Sequence, residues 1–455
     1  MRLLLALTCV LALPAQTIRE LPLHVFPHTA MATAIGDDYF DGTSPPERVK
    51  RHFQVARQLG VQYLRCAFSW NGIEKEQGKY DWSFWDGLVN SAEENQIGLI
   101  PYVAYTPQWA AREPKDFWKQ PPRDPALYAD FMNRIAARYR GRVRSWEIWN
   151  EPDNRDYWTG TADEFATLAI AAARSIRAAD PDAILVLGGM AYGPGDFFRR
   201  VISDHHLDRY VDVVATHGYP ETWLNERAEV IFQQWIPAMS QMIAADQSGA
   251  DLWINEMGYA DYRYAPDKAS VYGVDVFYDY EHTRRYQAVM LFKFFVMALA
   301  SQGVSLAGWY RIDDFPASET RLGSDLVNYH LGVVDDHGKA KPARFALTFF
   351  NRLFAGPATK VDAHVDGPAG SAAVVNVFRT GPNRVIVTGW LRSPSNKTET
   401  VSADLPCTSP KVAGYYDPEG HRIHAQARLR NATLSGIRLS GDRAFIGEFT
   451  CGSSQ

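Results

Sequence analysis

Cysteine is scarce in this chain, since only four of its 455 residues are Cys. No cluster of Cys and His has the spacing of a zinc site, so the sequence excludes a zinc-binding module. Lys and Arg are scattered without a basic stripe and the net charge is only -5, which excludes a typical nucleic-acid-binding protein. After the N-terminal residues, no apolar run is long enough to cross a membrane.

The N-terminal residues 1–16, MRLLLALTCVLALPAQ, have the pattern of a secretory signal peptide. Arg2 precedes an apolar run over residues 3–13, and Pro14-Ala15 supplies a cleavage region. The run is too short to span a bilayer. We therefore predict that the protein is secreted or periplasmic.

Removal of the signal peptide would take Cys9 with it and leave three cysteines. Cys66 lies inside an apolar run and is expected to be a small buried hydrophobe. Cys407 and Cys451 bracket the C-terminal region, so they are candidates for a disulfide in an oxidising compartment.

Residues 17–355 alternate short apolar runs with helical patterns. Eight such runs occur, and the segments after them carry apolar residues near helical spacing. The alternation predicts an α/β fold with a parallel sheet, and eight repeats close most economically into a (β/α)8 TIM barrel. The predicted strands are residues 31–36, 61–70, 97–105, 146–153, 183–187, 210–215, 252–258 and 304–310.

From residue 356 onward the helical periodicity disappears. Alternating runs at 372–378, 384–390 and 400–405 are separated by Gly, Pro and Asn turns. This pattern predicts a small C-terminal antiparallel β-sandwich domain over residues 356–455. The sequence leaves two roles open for it, namely structural packing against the barrel and carbohydrate binding.

Two glutamates lie at the C-terminal ends of predicted strands. Asn150 and Glu151 end an apolar run just before the helix-breaking Pro152, and Glu256 ends another run 105 positions later. A barrel brings such strand ends around one mouth, where the chemistry of these barrels is found. One such Glu alone is more often a solvated strand end. Two of them suit glycoside hydrolysis, which needs a protonated acid and an ionised carboxylate on opposite sides of the anomeric carbon.

Other polar and aromatic residues belong to the same set of predicted strands. Arg65 lies within an apolar run and needs a carboxylate partner, because an unpaired buried charge is expensive. His217 and Tyr219 follow the sixth strand, and Trp309 lies near the end of the eighth. We expect these side chains to meet at the barrel mouth.

With these residues assembled, the chain resembles the retaining glycoside hydrolases of clan A, most closely the branch around glycoside hydrolase family 39. The resemblance covers the barrel from about residue 31 to 355. The residues that match the pattern are Arg65 on the second strand, Asn150, Glu151 and Pro152 on the fourth, His217 and Tyr219 after the sixth, Glu256 on the seventh and Trp309 on the eighth.

The resemblance implies roles for the two glutamates. Glu151 would be the general acid and then the general base, and Glu256 would be the nucleophile. Arg65 and the Tyr219 hydroxyl would keep Glu256 ionised.

The resemblance also implies residues that bind and orient the sugar. Asn150 would donate to the sugar 2-hydroxyl, and His217 would position a carboxylate or the sugar. A packed strand-end histidine is the alternative for His217. Trp309 would form the platform under the sugar in the cleaved subsite. Trp109 and Trp223 could hold neighbouring rings, or be ordinary loop aromatics.

These expectations describe a secreted retaining β-glycoside hydrolase with an oligo- or polysaccharide substrate. No metal or organic cofactor is expected, since two carboxylates suffice. Two alternatives remain open from the sequence. One is a catalytically silent barrel that binds a polysaccharide, and the other is a transglycosylase that uses the same residues.

Overall fold

The computed structural model describes residues 31–39, 42–221, 223, 227–263, 280–301, 303–315, 326–392 and 397–452. The predicted signal peptide lies outside the described residues, together with the cysteine in it. Within the described ranges, no helix combines the length and the apolarity needed to cross a bilayer.

Eight parallel strands close into a barrel in sequence order, so the predicted (β/α)8 fold is confirmed. The first strand pairs with the last, with Ile35 opposite Trp309. The strands are β1 (Ala32–Gly36), β2 (Tyr63–Ser69), β3 (Gly98–Ala104), β4 (Ser145–Ile148), β5 (Ile184–Met190), β6 (Val213–Gly218), β7 (Asp251–Met257) and β8 (Val304–Tyr310).

Helices connect the strands around the outside of the barrel. Those of more than ten residues in the described part are α1 (Pro46–Leu59), α2 (Ser83–Asn95), α3 (Pro125–Arg138), α4 (Ala162–Ala179), α5 (Ile236–Asp246), α6 (Arg284–Ala300) and α7 (Pro342–Leu353). Shorter helical turns cover Trp70–Ile73, Phe117–Lys119, Asp196–Arg199, Arg200–Asp204, Leu207–Arg209, Ala228–Val230, Ile231–Trp235 and Leu326–His330. Local sequence fixes several ends. For example, α4 starts at a reciprocal capping box between Thr161 and Glu164.

The barrel interior has an apolar layer, followed by a polar layer toward the carboxyl ends of the strands. The apolar layer is formed by Ala34, Tyr63, Ile100, Ile184, Val186, Val213, Ala215, Trp253 and Leu306. Side chains two positions apart share a face of a strand. The next inward positions toward the carboxyl ends are therefore Arg65 after Tyr63 and Asn255 after Trp253. The sequence thus places the side chains of Arg65 and Asn255 inside the barrel, toward the carboxyl ends of the strands.

In the described residues after α7, nine further strands form two antiparallel sheets, so the predicted C-terminal β-sandwich is confirmed. The strands are β9 (Thr359–Val361), β10 (Val365–Asp366), β11 (Ala373–Arg379), β12 (Arg384–Leu391), β13 (Thr398–Asp404), β14 (Lys411–Tyr416), β15 (Arg428–Arg430), β16 (Thr433–Ser440) and β17 (Phe445–Thr450). One sheet has the order β10-β13-β16-β15 and the other β14-β17-β12-β11-β9. Cys407 and Cys451 form a disulfide with their Cα atoms 5.5 Å apart.

The sandwich packs against the barrel through α6 and α7. The rings of Phe349 and Tyr416 lie 5.3 Å apart, and Phe354 meets Phe378 at the same distance. Lys293 of α6 is buried at this contact, where its Nζ donates to the Gly441 carbonyl at 2.6 Å. The barrel and the sandwich therefore share apolar contacts, and the buried cation of Lys293 lies among them.

Burial lowers the pKa of Lys293 to about 8, although the carboxylates of Glu229 and Asp442 act in the opposite direction. The folded state therefore releases this proton near pH 8, while the unfolded chain releases it near the ordinary lysine value. A lowered lysine pKa destabilises the fold at low pH, and this penalty disappears as the pH rises through that window.

We predict that the melting temperature of wild type minus that of Lys293→Met increases by about 2 °C between pH 8 and pH 10. Methionine has no proton to lose, so only the wild type gains stability over this range. Calorimetry at both pH values measures the difference. Lys360→Met, at an exposed position of β9, is the matched control and should show no such increase. A difference between wild type and Lys293→Met that stays constant from pH 8 to pH 10 would contradict the lowered pKa of Lys293.

Candidate active site

The carboxyl ends of four strands bring the predicted polar residues together. Arg65 comes from β2, Glu151 from the loop after β4, His217 from β6 and Glu256 from β7. All four lie at the polar end of the barrel, and each has a hydrogen bond or ion pair to at least one other member. The structure thus assembles residues that are up to 191 positions apart in the chain.

Glu151 and Glu256 face each other across the mouth. One carboxylate oxygen of Glu151 lies within 4.8 Å of one of Glu256. His217 lies beside both, with its Nδ1 2.7 Å from Glu151 Oε1 and 3.7 Å from Glu256 Oε1. Two carboxyl groups at this spacing can act on the same atom of a bound molecule from opposite sides.

The loop after β4 fixes the position of Glu151. β4 ends at Ile148, and Glu151 adopts a positive φ of 45° before Pro152. Its backbone N–H donates to the Gly189 carbonyl at 3.1 Å, and Asn154 Nδ2 donates to Oε2 at 2.9 Å. Backbone and side chain of Glu151 are therefore both anchored, and the side chain is only slightly exposed.

Arg65 connects the fourth and seventh strands through its guanidinium group. It donates to both oxygens of Glu147 at 2.8 and 2.9 Å, to Asn150 Oδ1 at 2.7 Å, and to Glu256 Oε2. Burial lowers the pKa of Arg65, but Glu147 and Glu256 outweigh this and raise it well above its ordinary value. The sequence predicted one carboxylate partner for Arg65, and the structure shows two, Glu147 and Glu256.

Glu147 is a site residue that the sequence interpretation missed. It is fully buried in β4, and beyond Arg65 it accepts hydrogen bonds from the Gly189 N–H at 3.0 Å and Asn255 Nδ2 at 2.9 Å. A charged residue between Trp146 and Ile148, inside an apolar run, was a signal that could have paired it with Arg65. Glu147 acts as a positioning residue, since it contacts the site through Arg65.

Tyr219 and His217 supply the other contacts of the two glutamates. The Tyr219 hydroxyl donates to Glu256 Oε1. Burial of His217 lowers its pKa, but the charge of Glu256 and the hydrogen bond to Glu151 outweigh burial and raise it above the ordinary value. Within the described part of the chain, His217 Nε2 has no hydrogen-bond partner and lies against Gly189, where a Cβ would come within 2.2 Å.

The predicted sugar platform at Trp309 is wrong. Trp309 is fully buried, its ring packs beside Phe294 of α6 and its Nε1 donates to the Leu331 carbonyl at 3.2 Å. The reason is strand alternation, because Leu306 faces inward and Trp309, three positions later, must face outward. The next residue, Tyr310, faces the mouth instead, and its ring lies 6.4 Å from that of Tyr219.

Tyr310 and Tyr102 hold a carboxylate that the sequence interpretation placed only in a loop. The Tyr102 hydroxyl donates to Asp38 Oδ1 at 2.5 Å, and the Tyr310 hydroxyl donates to Oδ2 at 2.7 Å. Burial and the nearby charge of Glu256 raise the pKa of Asp38. This group closes the side of the mouth next to Glu256.

The two loop tryptophans lie in different surroundings. Trp109 donates from Nε1 to the Glu74 carbonyl at 2.8 Å and packs edge-on against Trp70, so it braces its own loop. Trp223 packs on Tyr219 with ring centroids 4.4 Å apart, next to the glutamate pair. A sugar contact remains a prediction for both.

Several groups of carboxylates and histidines have a spacing that could hold a metal ion. In the described residues they are Asp37, His52 and Asp313; Glu151, His217 and Glu256; and Asp261, Asp314 and His330. Each group already contacts a cation of the protein, namely Arg311, Arg65 and Lys341 respectively.

We predict that Glu256→Gln lowers the pKa of His217, because the substitution removes a charge that raises it. An NMR titration of the nitrogen-15-labelled imidazole ring measures the shift. Glu448→Gln makes the same chemical change in β17, far from the mouth, and should leave the His217 titration unchanged. An unaltered His217 pKa in Glu256→Gln would contradict the proximity of the two groups.

Residues 45–250 match the family model of the glycosyl hydrolases family 39. Among curated proteins, endo-1,4-beta-xylanase 3 of Hypocrea jecorina is 25% identical over 194 residues, 40% of this chain and 49% of that protein. Endo-1,4-beta-xylanase C of Paenibacillus barcinonensis is 25% identical over 92% of this chain and 38% of its own length. The chain thus spans about half or less of the length of these relatives.

Solved structures share the fold. A family 39 glycoside hydrolase from Bacteroides cellulosilyticus WH2 superposes with a TM-score of 0.68 at 16% identity, covering 93% of this chain and 81% of its own. A monomeric beta-xylosidase from Caulobacter crescentus CB15 reaches a TM-score of 0.61 at 16% identity, covering 95% and 99%. The resemblance predicted from the sequence is therefore confirmed, and residues 45–250 are the part of the chain that matches the family 39 model.

Proposed function

We propose that this protein is a retaining β-glycoside hydrolase that cleaves its substrate by double displacement. The observation that carries the proposal is the approach of Glu151 and Glu256, with an oxygen of each within 4.8 Å of the other. Retaining enzymes hold their two carboxyl groups about 5–5.5 Å apart, whereas inverting enzymes leave about 6.5–9.5 Å for a water molecule. The spacing here supports retention.

Each glutamate has its own role in the proposed reaction. In the first step Glu256 attacks the anomeric carbon, while Glu151 gives its proton to the leaving oxygen, so that a glycosyl-enzyme ester forms and the leaving group departs as an alcohol. In the second step Glu151 takes a proton from water, which attacks the same carbon and releases Glu256.

The contacts of Glu256 suit a nucleophile. Arg65 and the Tyr219 hydroxyl donate to different oxygens of its carboxylate, so both oxygens are held in place. Asn150 accepts a hydrogen bond from Arg65 through its Oδ1, and its Nδ2 donates to the Tyr105 hydroxyl at 3.4 Å. The second N–H of the amide is left as the donor for the sugar 2-hydroxyl. These intact contacts favour an enzyme over a catalytically silent polysaccharide-binding barrel.

We propose xylose-containing glycans with β linkages as the substrate class. The support comes from the relatives named endo-1,4-beta-xylanase and from a beta-xylosidase of Caldicellulosiruptor saccharolyticus, 27% identical over 36% of this chain. Secretion of the protein, as predicted from residues 1–16, would place it where such glycans are found.

The nucleophile assignment predicts the outcome of Glu256→Ala. Turnover of aryl β-xylosides should fall by more than about 10⁴-fold, because no covalent intermediate can form. Azide, which fits the space left by the carboxylate, should partly restore turnover and give an α-glycosyl azide, as proton NMR of the product would show. A β-glycosyl azide would contradict the assignment, since azide would then occupy the opposite side of the sugar.

The acid assignment predicts a dependence on the leaving group in Glu151→Ala. Substrates with a poor leaving group, such as xylo-oligosaccharides, should lose about 10²–10⁴-fold in kcat/KM. A 2,4-dinitrophenyl β-xyloside needs no proton to depart, so its glycosylation step should be nearly unaffected. Burst kinetics separates this step from hydrolysis of the intermediate. An equal loss on both substrates would argue against the acid role.

A further inference from the structure

Tyr192 is a large aromatic side chain that stays exposed beside the carboxylate pair. It lies two residues after the end of β5, and 49% of its surface is exposed. Four other large apolar side chains of the described residues are similarly exposed, and they lie on α7 or in the sandwich region: Phe345, Val365, Val412 and Ile423. Among the described residues near the barrel mouth, Tyr192 is therefore the one large apolar side chain that is strongly exposed.

The backbone at Tyr192 is fixed on two sides. The Asp153 carboxylate accepts hydrogen bonds from the N–H groups of Ala191 and Tyr192, each at 2.9 Å. Gly193 adopts a positive φ of 60°, and Trp235 packs so closely there that a Cβ would lie 2.5 Å from its ring. An exposed ring on such a fixed backbone loses little conformational entropy when it binds a partner.

The same contacts place Tyr192 on the side of Glu151. Asp153 lies two residues after Glu151, and the Glu151 N–H donates to Gly189, three residues before Tyr192. Burial and the charges of Glu151, Asp153 and Asp156 raise the pKa of the Tyr192 hydroxyl, which is consistent with its position among these carboxylates.

The two sides of the mouth differ in what they can bind. Around Glu256, the side chains of Arg65, Tyr219 and Tyr310 are buried and hydrogen-bonded, as expected for an enclosed subsite that holds the sugar to be transferred. In the proposed reaction Glu151 protonates the leaving oxygen, so the leaving group extends on its side of the cleaved bond. Among the described residues, the strongly exposed ring on that side is Tyr192.

We propose that Tyr192 is the aromatic platform of the first subsite on the leaving-group side, where it stacks on the pyranose ring that follows the cleaved bond. This inference rests on the proposed function and adds a specificity-determining residue to it. In the second step the same platform would receive a sugar acceptor in place of water. Tyr192 would therefore set how readily the glycosyl-enzyme transfers to a sugar rather than to water.

The test compares Tyr192→Ala and Tyr192→Phe with wild type on two substrates. β-D-xylosyl fluoride has no sugar ring on the leaving-group side, whereas xylotetraose has at least one, whichever of its bonds is cleaved. Tyr192→Ala should lower kcat/KM for xylotetraose about tenfold, a loss of about 1.4 kcal/mol, and change that for the fluoride less than twofold. Tyr192→Phe keeps the ring and should resemble wild type on both. Phe345→Ala, at an equally exposed aromatic residue of α7, is the matched control.

A second measurement uses the fluoride alone as donor and adds xylobiose as acceptor. The ratio of transfer product to free xylose should fall about tenfold in Tyr192→Ala and stay unchanged in Tyr192→Phe, because the platform also binds the acceptor.

Three results would contradict the proposed role of Tyr192 as an aromatic platform. An equal loss on the fluoride and on xylotetraose would show a structural role, and a Phe variant as impaired as the Ala variant would show that the hydroxyl matters rather than the ring. An unchanged Ala variant would show that the ring binds nothing. If wild type turned over neither substrate, the proposed function itself would fail, and the platform with it.

Discussion

The guanidinium of Arg65, buried inside the barrel, is the constraint on which the site depends. It neutralises Glu147 and Glu256 together, and it holds Asn150 next to them. Removal of one partner from a buried ion pair typically costs about 3–5 kcal/mol, because an uncompensated charge is left behind. The second, fourth and seventh strands therefore keep a common register at the mouth, since a shift of any one would leave a charge unpaired.

This constraint also explains why the two proposed catalytic carboxylates are held so differently. Glu256 lies on a strand, and Arg65 and Tyr219 hold it through charge and a hydrogen bond. Glu151 lies three residues beyond the end of β4, on a loop anchored by Gly189 and Asn154. A nucleophile must remain ionised, whereas an acid that later acts as a base must gain and lose its proton, so only the former benefits from a permanent cation. His217, which touches both, couples their charges.

The sequence predicts the barrel and both glutamates because these depend on local patterns, namely apolar strands that end in a polar residue. The sequence also shows that Arg65 needs a carboxylate, but Glu147 lies 82 positions away and only the tertiary fold pairs them. The prediction of a sugar platform at Trp309 was wrong for a local reason, since Leu306 and Tyr310 occupy the inward face of β8. Asp38 and Tyr192 follow strands without any local pattern that marks them, and tertiary contacts alone give them their positions.

The two sides of the mouth, around Glu256 and around Glu151, differ in which side chains are already hydrogen-bonded within the protein. Around Glu256 the hydroxyls of Tyr102 and Tyr310 are already committed to Asp38, which makes that side rigid and narrow in what it accepts. Near Glu151 both carboxylate oxygens of Asp153 accept hydrogen bonds from the backbone of the loop after β5. The aromatic face of Tyr192 therefore remains for the ligand. Hydrogen bonds discriminate between sugars by the geometry of their hydroxyls, whereas a stacked ring tolerates many of them. A site built in this way would select strictly on the sugar it transfers and loosely on the group that leaves.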